Sequence, residues 1–419
     1  MAHFGIVCPP IPGHINPLAA LGRTVTSRGH RVTFFHVAEL EPKILAARLE
    51  FAPLGADHFP PGTLAQSVDH LATLTGTQSL KFAIQGAVRI SELILEFAPA
   101  AIAASGVQAL LVDQNEPAGA TVAQHLRLPF ASICTSLPLN REPLIPPPFA
   151  PWGWSDSPLA ALRNRLAYAV SDHFIAPIQA VLNRYRRRWN LPALRIPDDS
   201  FSPTAQLAQM PREFDFPRSR LPAGFHYLGP WFDAAAPPVP FPFDRLDGRP
   251  LIYGSLGTLQ RKDSHYFALM AEACAGLDAQ LVLSLGDSTG SKIPDLPGNP
   301  LVVNYAPQTE LLRRAALTIT HSGMNTTQQS LAFGVPMVAI PLAHDQPAIA
   351  ARTARTSAGI VIPPAKLTTA RLRAAVQQAL APGNPFKASA DRMSQAIQRA
   401  GGLSRAADLA EQLLPQPSP

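Results

Sequence analysis

The segment after the first predicted strand carries a histidine that is placed for proton transfer. His14 lies in the run PPIPGHINP, between a strand predicted at residues 4–8 and a helix predicted at 16–28. The carboxyl ends of strands line the ligand cleft of open α/β sheets, so we expect His14 to face such a cleft. An imidazole with an ordinary pKa of about 6.5 can take a proton from a hydroxyl near neutral pH. The alternative is a helix N-terminal histidine that bonds nearby backbone.

A histidine base needs a partner that orients its ring and stabilises the imidazolium. Asp113 ends the strand predicted at residues 109–112 and would face the same cleft. Glu116 is a second carboxylate close by in the sequence. Asp113 could instead cap the helix predicted at residues 118–126.

The second half of the chain contains a polar loop between a strand and a helix. Residues 317–320 are a short apolar and β-branched strand, and the loop HSGMN follows at 321–325. A helix is predicted at 326–333, Gly334 supplies the left-handed residue that ends it, and a buried strand follows at 335–340. The N-terminus of such a helix presents free N–H groups and a positive dipole end, which suit a phosphate. An ordinary βαβ unit with incidental polar residues is the alternative.

Polar side chains stand on both sides of this helix. His321, Asn325 and Thr326 are at its start, where a phosphate could bind, and Asp345 and Gln346 follow the next strand. A phosphate site with a carboxylate–amide pair beyond it suits a nucleotide-sugar.

A turn of small residues follows another predicted strand. The strand at residues 251–255 leads into Leu256, Gly257 and Thr258. Small residues allow the backbone to approach a ligand closely. A plain βα turn is the alternative.

The segment from residue 305 to residue 346 resembles the donor-binding region of family 1 glycosyltransferases, the UDP-dependent glycosyltransferases of the GT-B fold. The shared features are YAPQ at 305–308, HSGMNT at 321–326, GVP at 334–336 and DQ at 345–346. The resemblance implies an inverting transfer of a hexose, glucose foremost, from a UDP-sugar to an acceptor hydroxyl. It implies no cofactor and no metal, and the sequence has no Asp-x-Asp pair to hold one. The UDP-sugar would be a co-substrate.

The resemblance also implies roles for individual residues. His14 would be the base and Asp113 its orienting partner. Tyr305 would face the uracil ring, and Asp345 and Gln346 would bind sugar hydroxyls. The full implied donor site consists of Gly257, Thr258, Tyr305, Ala306, Gln308, His321, Gly323, Asn325, Thr326, Gln329, Asp345 and Gln346.

Two positions depart from the family pattern. Tyr305 stands where many plant members have Trp, and Gln329 stands where an acid usually accepts from the ribose hydroxyls. A neutral amide bonds a diol less strongly than a carboxylate does. The choice between a UDP-sugar and a TDP-sugar, and the identity of the sugar, therefore stay open.

The Pro-rich and aromatic segment at residues 137–157 is interpreted as a long loop. It resembles the zeaxanthin glucosyltransferase branch, whose members glucosylate a long apolar carotenoid diol, and this implies acceptor contacts from Asn140, Arg141, Phe149 and Trp152. Prolines and aromatics suit a rigid apolar pocket, but they equally suit a packed surface loop. Sterols, polyketides, flavonoids and lipid alcohols are alternative acceptors.

Composition narrows the class of partner and the compartment. The net charge of +6 comes from dispersed basic residues, which argues against a nucleic-acid partner. The dense cluster RYRRRW at 184–189 is either a solvated helix face or a membrane-surface patch. Cys8, Cys134 and Cys274 are far apart and are expected to be buried free thiols. Without a leader or a transmembrane stretch, a cytoplasmic protein is expected, and peripheral contact with the inner face of the membrane stays open.

Alternating strands and helices predict an α/β protein with two Rossmann-like, doubly wound parallel sheets that face each other across a cleft. Residues 1–235 would bind the acceptor, 236–246 would be a Pro-rich linker, and 247–385 would bind the donor. Residues 386–419 would cross back to the first domain as a helix, as in GT-B enzymes. No GxGxxG follows a strand, which argues against a dinucleotide oxidoreductase.

Two other functions compete with this hypothesis. A non-catalytic GT-B protein could bind a nucleotide or a lipophile and activate a second enzyme. A lipid-linked glycosyltransferase would need a membrane-facing patch, for which the cluster at 184–189 is the candidate.

Overall fold

The computed structural model describes residues 1–71, 73–74, 76–232, 239–257, 264–286 and 295–414. Within these ranges the chain forms two parallel β-sheets with helices packed against them, which confirms the predicted doubly wound α/β class.

The first sheet has seven strands among the described residues, in the order β3-β2-β1-β4-β5-β6-β7. The chain moves outward from β1 in one direction and then returns to β4 on the other side, so the strand order reverses between β1 and β4. A ligand crevice is expected at the carboxyl ends of strands where the order reverses. The strands are β1 (His3–Val7), β2 (Arg31–His36), β3 (Glu50–Pro53), β4 (Ala109–Asp113), β5 (Phe130–Cys134), β6 (Gln206–Ala208) and β7 (Phe225–Tyr227).

The second sheet repeats this plan with six described strands in the order β10-β9-β8-β11-β12-β13. Its order reverses between β8 and β11, which pair in parallel. The strands are β8 (Leu251–Ser255), β9 (Gln280–Ser284), β10 (Leu301–Val303), β11 (Ala315–Thr320), β12 (Met337–Ala339) and β13 (Gly359–Val361).

Helices cover the sheets and explain why the central strands are nearly continuous apolar runs. The sequences of β1 and β4, HFGIV and ALLVD, are buried at every position, as expected for parallel strands with both faces covered. The helices are α1 (Pro12–Ser27), α2 (Glu41–Ala46), α3 (Thr63–Leu71), α4 (Gly76–Ser105), α5 (Pro117–Leu126), α6 (Pro158–Arg188), α7 (Ser264–Cys274), α8 (Gln308–Leu312), α9 (Met324–Ala332), α10 (Gln346–Thr356), α11 (Thr369–Leu380), α12 (Pro385–Arg399) and α13 (Gly402–Glu411).

Two predicted helix boundaries were wrong. Helix α1 begins at Pro12 rather than at residue 16, because the fixed φ of proline suits the first position of a helix. His14 therefore lies in the first turn of α1. The segment at 386–414 is two helices rather than one, because Gly401 adopts a φ of +90°, which a helix cannot accommodate.

The last helix lies against the first sheet's helices rather than against its own sheet. Arg28, just after α1, donates to Asp408 at 2.7 Å and to Glu411 at 3.2 Å. Ala406 and Ala410 are buried in the same core as β1. The predicted linker at 236–246 begins with residues 236–238, which lie outside the described residues.

The basic cluster at 184–189 is largely engaged with neighbouring helices. Arg184 and Arg188 form ion pairs with Glu92 and Glu96 of α4. Arg186 is buried and donates to the Pro192 carbonyl and to Gln124. Arg186 therefore packs α6 against α5, whereas Arg184 and Arg188 have 58% and 69% of their side-chain surface exposed and lie on a solvated face of α6.

Two further expectations concern thiols and membranes. Cys8, Cys134 and Cys274 are buried free thiols. Among the described residues, no helix is long and apolar enough to cross a bilayer.

Candidate active site

The carboxyl ends of β1, β4 and β5 bring three side chains together in the first sheet. His14 stands in the first turn after β1, Asp113 ends β4, and Thr135 follows β5. Nδ1 of His14 lies 2.8 Å from Oδ2 of Asp113 and 2.7 Å from the hydroxyl of Thr135, which donates to the same carboxylate oxygen at 2.6 Å. With Nδ1 held by the carboxylate, Nε2 is the nitrogen left to accept a proton.

The charges of this pair stabilise one another in a buried setting. Burial alone disfavours the imidazolium, but attraction to Asp113 outweighs it and raises the pKa of His14 above its ordinary value. Burial would also raise the pKa of Asp113, but the charge and hydrogen bond of His14 hold it below its usual range. Asp113 therefore remains ionised and can support a positive charge on His14.

Glu116, the rival partner, has a different environment. Its carboxyl accepts from the hydroxyl of Ser91 at 3.1 Å, and the side chain is buried. Burial raises the pKa of Glu116 to about 8, so this carboxyl is mostly protonated at neutral pH. The geometry and charge thus favour Asp113 as the partner of His14.

In the second sheet, His321 follows β11 and is enclosed by two glycines. A Cβ on Gly257 would lie 2.8 Å from the ring of His321, and one on Gly323 would lie 2.5 Å from it. Burial lowers the pKa of His321 to about 4, so the ring is neutral at pH 7. Its Nδ1 is buried without a hydrogen-bond partner among the described residues. A neutral ring in this position could donate a hydrogen bond but would bring no charge.

The start of α9 is available to an anion. Ser322 adopts the left-handed conformation with φ of +67°, and Gly323 at the N-cap directs the chain into the helix. Within the described part of the chain, no side chain caps the N-terminal N–H groups of α9. These groups and the helix dipole could hold an anion, and phosphate binding at this helix start stays a prediction from the sequence.

Gln308 connects the predicted donor residues of α8 and α9. Its Nε2 donates to Gln329 at 3.0 Å, and its Oε1 accepts from Thr326 at 3.1 Å and from Tyr253 at 3.4 Å. Gln329 is thus paired with Gln308. Tyr305 lies on the loop before α8 with 43% of its surface exposed, beside the buried Ala306.

Three hydrogen bonds of Asn325 and Ser136 join the donor side to the acceptor side. Nδ2 of Asn325 donates to the carbonyl of Gly13 at 3.0 Å, and its Oδ1 accepts from Gln209 at 3.0 Å. The hydroxyl of Ser136 donates to Asp345, the N-cap residue of α10. The side chain of Asn325 therefore contacts the turn that holds His14, one residue away.

Gln346 has a role in holding its own loop. Its Oε1 accepts from the backbone N–H groups of Leu342 and Ala343, each at 2.8 Å. Its side chain is buried. Only the amide nitrogen is then left for a sugar hydroxyl. Thr258, the remaining predicted donor residue, lies outside the described residues.

The four predicted acceptor residues fall into two environments. Asn140 is buried and donates to Gln206 at 2.9 Å, and Arg141 is bonded to Asp172 at 2.9 Å. These two side chains anchor the loop at 137–157 to the first sheet and to α6, because buried polar groups require partners. Phe149 and Trp152 are farther along this loop, and Phe149 is 45% exposed.

Sequence reasoning missed Thr135, Ser136 and Gln209. Gln209 donates to the Thr135 carbonyl as well as to Asn325, so it links β5 to α9. Each of these residues follows a strand of the first sheet. This position at the carboxyl end of a strand was the one sequence feature that could have indicated a site residue. The described residues contain no group of three or more His, Cys, Asp or Glu side chains that could hold a metal.

Comparison with known proteins decides the family. Residues 268–400 match the family model of the erythromycin biosynthesis protein CIII-like C-terminal domain. A zeaxanthin glucosyltransferase of Pantoea ananas is 34% identical over 99% of this chain and 96% of its own length. A zeaxanthin glucosyltransferase of Pseudescherichia vulneris is 36% identical over 84% of both chains. The chain belongs to the family 1 glycosyltransferases.

Solved structures show that this glycosyltransferase has the GT-B fold. The glycosyltransferase of kitacinnamycin superimposes with a TM-score of 0.75 at 24% identity, covering 99% of both chains. The glycosyltransferase VinC, solved in complex with dTDP, superimposes with a TM-score of 0.69 at 18% identity, also over 99% of both chains. In this fold the clustered strand ends of the two sheets are the two sides of one cleft.

Proposed function

We propose that this glycosyltransferase moves a hexose, glucose foremost, from a UDP-sugar to a hydroxyl of an apolar acceptor, with inversion and without a metal. The observation that carries the proposal is the 3.0 Å contact between Asn325 and Gly13. This contact supports the proposal because the start of α9, which would hold the diphosphate, lies beside the turn that presents His14. A base and a diphosphate site on opposite sides of one cleft are what direct sugar transfer needs.

The proposed step is a single displacement. Nε2 of His14 takes the proton of the acceptor hydroxyl as its oxygen attacks the anomeric carbon. The bond from that carbon to the diphosphate breaks, and UDP leaves with the electron pair. Asp113 stabilises the imidazolium, and the α9 N-terminus with His321 stabilises the developing diphosphate charge. Attack from the face opposite an α-linked UDP gives a β-glycoside.

The choice of donor nucleotide depends on Gln308 and Gln329, which would face the ribose. Both are neutral amides joined at 3.0 Å, and ribose hydroxyls would have to compete with this bond. Two relatives are named for zeaxanthin glucosylation and one neighbour binds dTDP, so UDP-glucose is the first donor and a TDP-sugar the alternative. Calorimetric titration with UDP-glucose, UDP-galactose, UDP-N-acetylglucosamine and TDP-glucose would rank them. No binding to any of these would overturn the donor site.

The acceptor is proposed from the named relatives and from the chemistry of the loop at 137–157. A carotenoid diol such as zeaxanthin is the first candidate, and sterols, polyketides and flavonoids complete the class of apolar hydroxylated acceptors. Such molecules partition into bilayers, so peripheral contact of a cytoplasmic enzyme with the membrane is part of the proposal. Product analysis after incubation with each acceptor class and UDP-glucose tests it.

The decisive experiment separates chemistry from binding. His14→Ala should abolish transfer while UDP binding, measured by calorimetry, stays nearly unchanged. Transfer at the wild-type rate would overturn the role of His14 and favour a non-catalytic binding protein. Activity should also persist in EDTA, because the α9 N-terminus supplies the groups that face the diphosphate. Loss of activity in EDTA that Mg²⁺ restores would contradict metal independence.

A further inference from the structure

One face of α6 carries a row of exposed apolar side chains. Leu159, Leu162, Leu166 and Val170 are 78%, 53%, 60% and 58% exposed. Their spacing of three, four and four residues places them on a single helical stripe. In contrast, Val181 and Leu182 in the second half of α6 are buried in the first core. The first half of α6 therefore exposes an apolar stripe that is not covered by the hydrophobic core.

The loop at 137–157 extends this stripe with the aromatic side chain of Trp152. Trp152 lies beside the stripe and forms a shallow groove with Leu159, Leu162 and Leu166. The guanidinium of Arg163 lies 4.4 Å from the centre of the Trp152 ring. This loop is the segment proposed to contact the acceptor, so the apolar surface is continuous with the acceptor side.

Basic side chains lie among the residues of the stripe. The segment PLAALRNRLAYAVS at residues 158–171 contains Arg163 and Arg165, and one aspartate flanks it on each side. Of these two, Asp172 is bonded to Arg141 at 2.9 Å. An apolar face bordered by arginines complements a bilayer surface with anionic headgroups. Leucines enter the boundary of the acyl chains while arginines extend to the phosphates.

We infer that the apolar stripe of α6, with Trp152, is a docking surface for an anionic phospholipid bilayer. The inference deepens the proposed function, since it gives a lipophilic acceptor a route from the bilayer to the loop at 137–157. It also relocates the membrane contact to the opposite end of α6 from the arginine cluster at 184–189.

The test is sedimentation of the purified full-length protein with lipid vesicles. Vesicles that contain phosphatidylglycerol should sediment the wild-type protein, and pure phosphatidylcholine vesicles should sediment less of it. The triple variant L159S/L162S/L166S should lose roughly ten-fold or more of its vesicle affinity, because each leucine contributes apolar area to the contact. Arg163→Gln with Arg165→Gln should reduce binding to the anionic vesicles alone.

A matched control uses Leu45, which is 53% exposed on α2. Leu45→Ser removes an equally exposed leucine away from the stripe and should leave vesicle affinity unchanged. An equal loss in Leu45→Ser and in the triple variant would overturn the proposal, as would wild-type protein that stays in the supernatant. A dimer that the triple variant abolishes, without vesicle binding, would also overturn it in favour of a second copy.

The sedimentation result does not depend on sugar transfer. Transfer to a water-soluble hydroxylated acceptor should be equal in the wild type and the triple variant, because the substituted leucines lie outside the proposed base and donor site. Failure of transfer with intact vesicle binding would refute the proposed function alone. Intact transfer without vesicle binding would refute the docking surface alone.

Discussion

The ring of His14 is subject to two opposing electrostatic influences, and their balance makes a prediction about pH. Burial disfavours the charged form, but Asp113 favours it more strongly, so the pKa of His14 is raised above 6.5. The proposed base must be neutral, so activity is lost as the pH falls through this raised pKa. We expect the acidic limb of kcat/KM for the donor to have its midpoint above pH 6.5. A midpoint below 6.5 would contradict the pairing with Asp113.

Asp113 and Glu116 are both buried carboxyl groups, so they form a natural pair of variants. Asp113→Asn keeps the shape but removes the charge that supports the imidazolium, and kcat should fall roughly 10²- to 10⁴-fold. Glu116→Gln resembles the protonated state that burial already favours, so kcat should change little. Steady-state rates with saturating donor decide between them, and a larger loss in the Glu116 variant would reverse the assignment.

The sequence predicts a site residue only where the residues around it form a recognisable local pattern. His14 and Asp113 are 99 positions apart, yet each stands in a recognisable setting at the end of a predicted strand. Thr135 and Gln209 contribute a hydroxyl and an amide with no local pattern around them. Thr135 meets His14, and Gln209 meets Asn325, only after distant parts of the chain have packed together. A local sequence pattern cannot predict such tertiary contacts.

At the scale of elements, the turn after β8 and the start of α9 fit closely around His321. Gly257 has a φ of +73°, and an added Cβ would lie 2.8 Å from the ring. Gly257→Ala should therefore displace His321 and weaken UDP-sugar binding roughly ten-fold or more, as measured by calorimetry.

Gly248 supplies the matched control for this substitution. It also adopts a left-handed conformation, with φ of +87°, but nothing lies within 4 Å of an added Cβ. Gly248→Ala should carry the same backbone cost, on the order of 1 kcal/mol, without affecting donor affinity. Equal affinity losses in the two variants would show that backbone strain, not contact with His321, is responsible.

The elements differ in how well periodicity could predict them. Central strands such as β1 and β4 are nearly continuous apolar runs and were predicted, because helices cover both of their faces. The short strands β3, β6 and β7 lie toward the ends of the first sheet, where pairing with a neighbouring strand, not an apolar run, defines them. The break between α12 and α13 depends on the positive φ of Gly401. The sequence has a helical pattern on both sides of this glycine, so a single helix was predicted.

At the scale of the whole molecule, a buried ionic group joins the two halves. Asp215, between β6 and β7, accepts from Arg218 at 2.6 Å and from Arg352 of α10 at 2.9 Å. All three side chains are almost fully buried. Arg352→Ala should lower the free energy of unfolding by about 3–5 kcal/mol in urea titrations, since it removes one partner from a buried ion pair.

An exposed ion pair controls for this measurement. Arg249 pairs with Asp247 at 2.6 Å, and both side chains are well exposed to solvent. Arg249→Ala should hardly change the unfolding midpoint, because water screens such pairs. Similar shifts for Arg249→Ala and Arg352→Ala would argue that the buried group is not a link between the halves.

The same group makes the assembled molecule sensitive to acid. Burial alone would raise the pKa of Asp215, but Arg218 and Arg352 outweigh it and lower the pKa to about 2. Its contribution to stability is therefore complete above the ordinary value of 3.8 and is lost as the pH falls toward 2. Between these values the wild type should lose more unfolding free energy than Asp215→Asn does. Parallel pH profiles would refute this.

Helix α13 completes the hydrophobic core of the first sheet with Ala406, Ala407, Leu409 and Ala410. During synthesis the strands of that sheet leave the ribosome long before these residues exist. Part of the apolar surface of the first sheet therefore stays uncovered until residues 402–411 have been made. A ribosome stalled shortly before residue 402 would hold a nascent chain that is exposed to chaperones and proteases, although every described strand of both sheets had already been made.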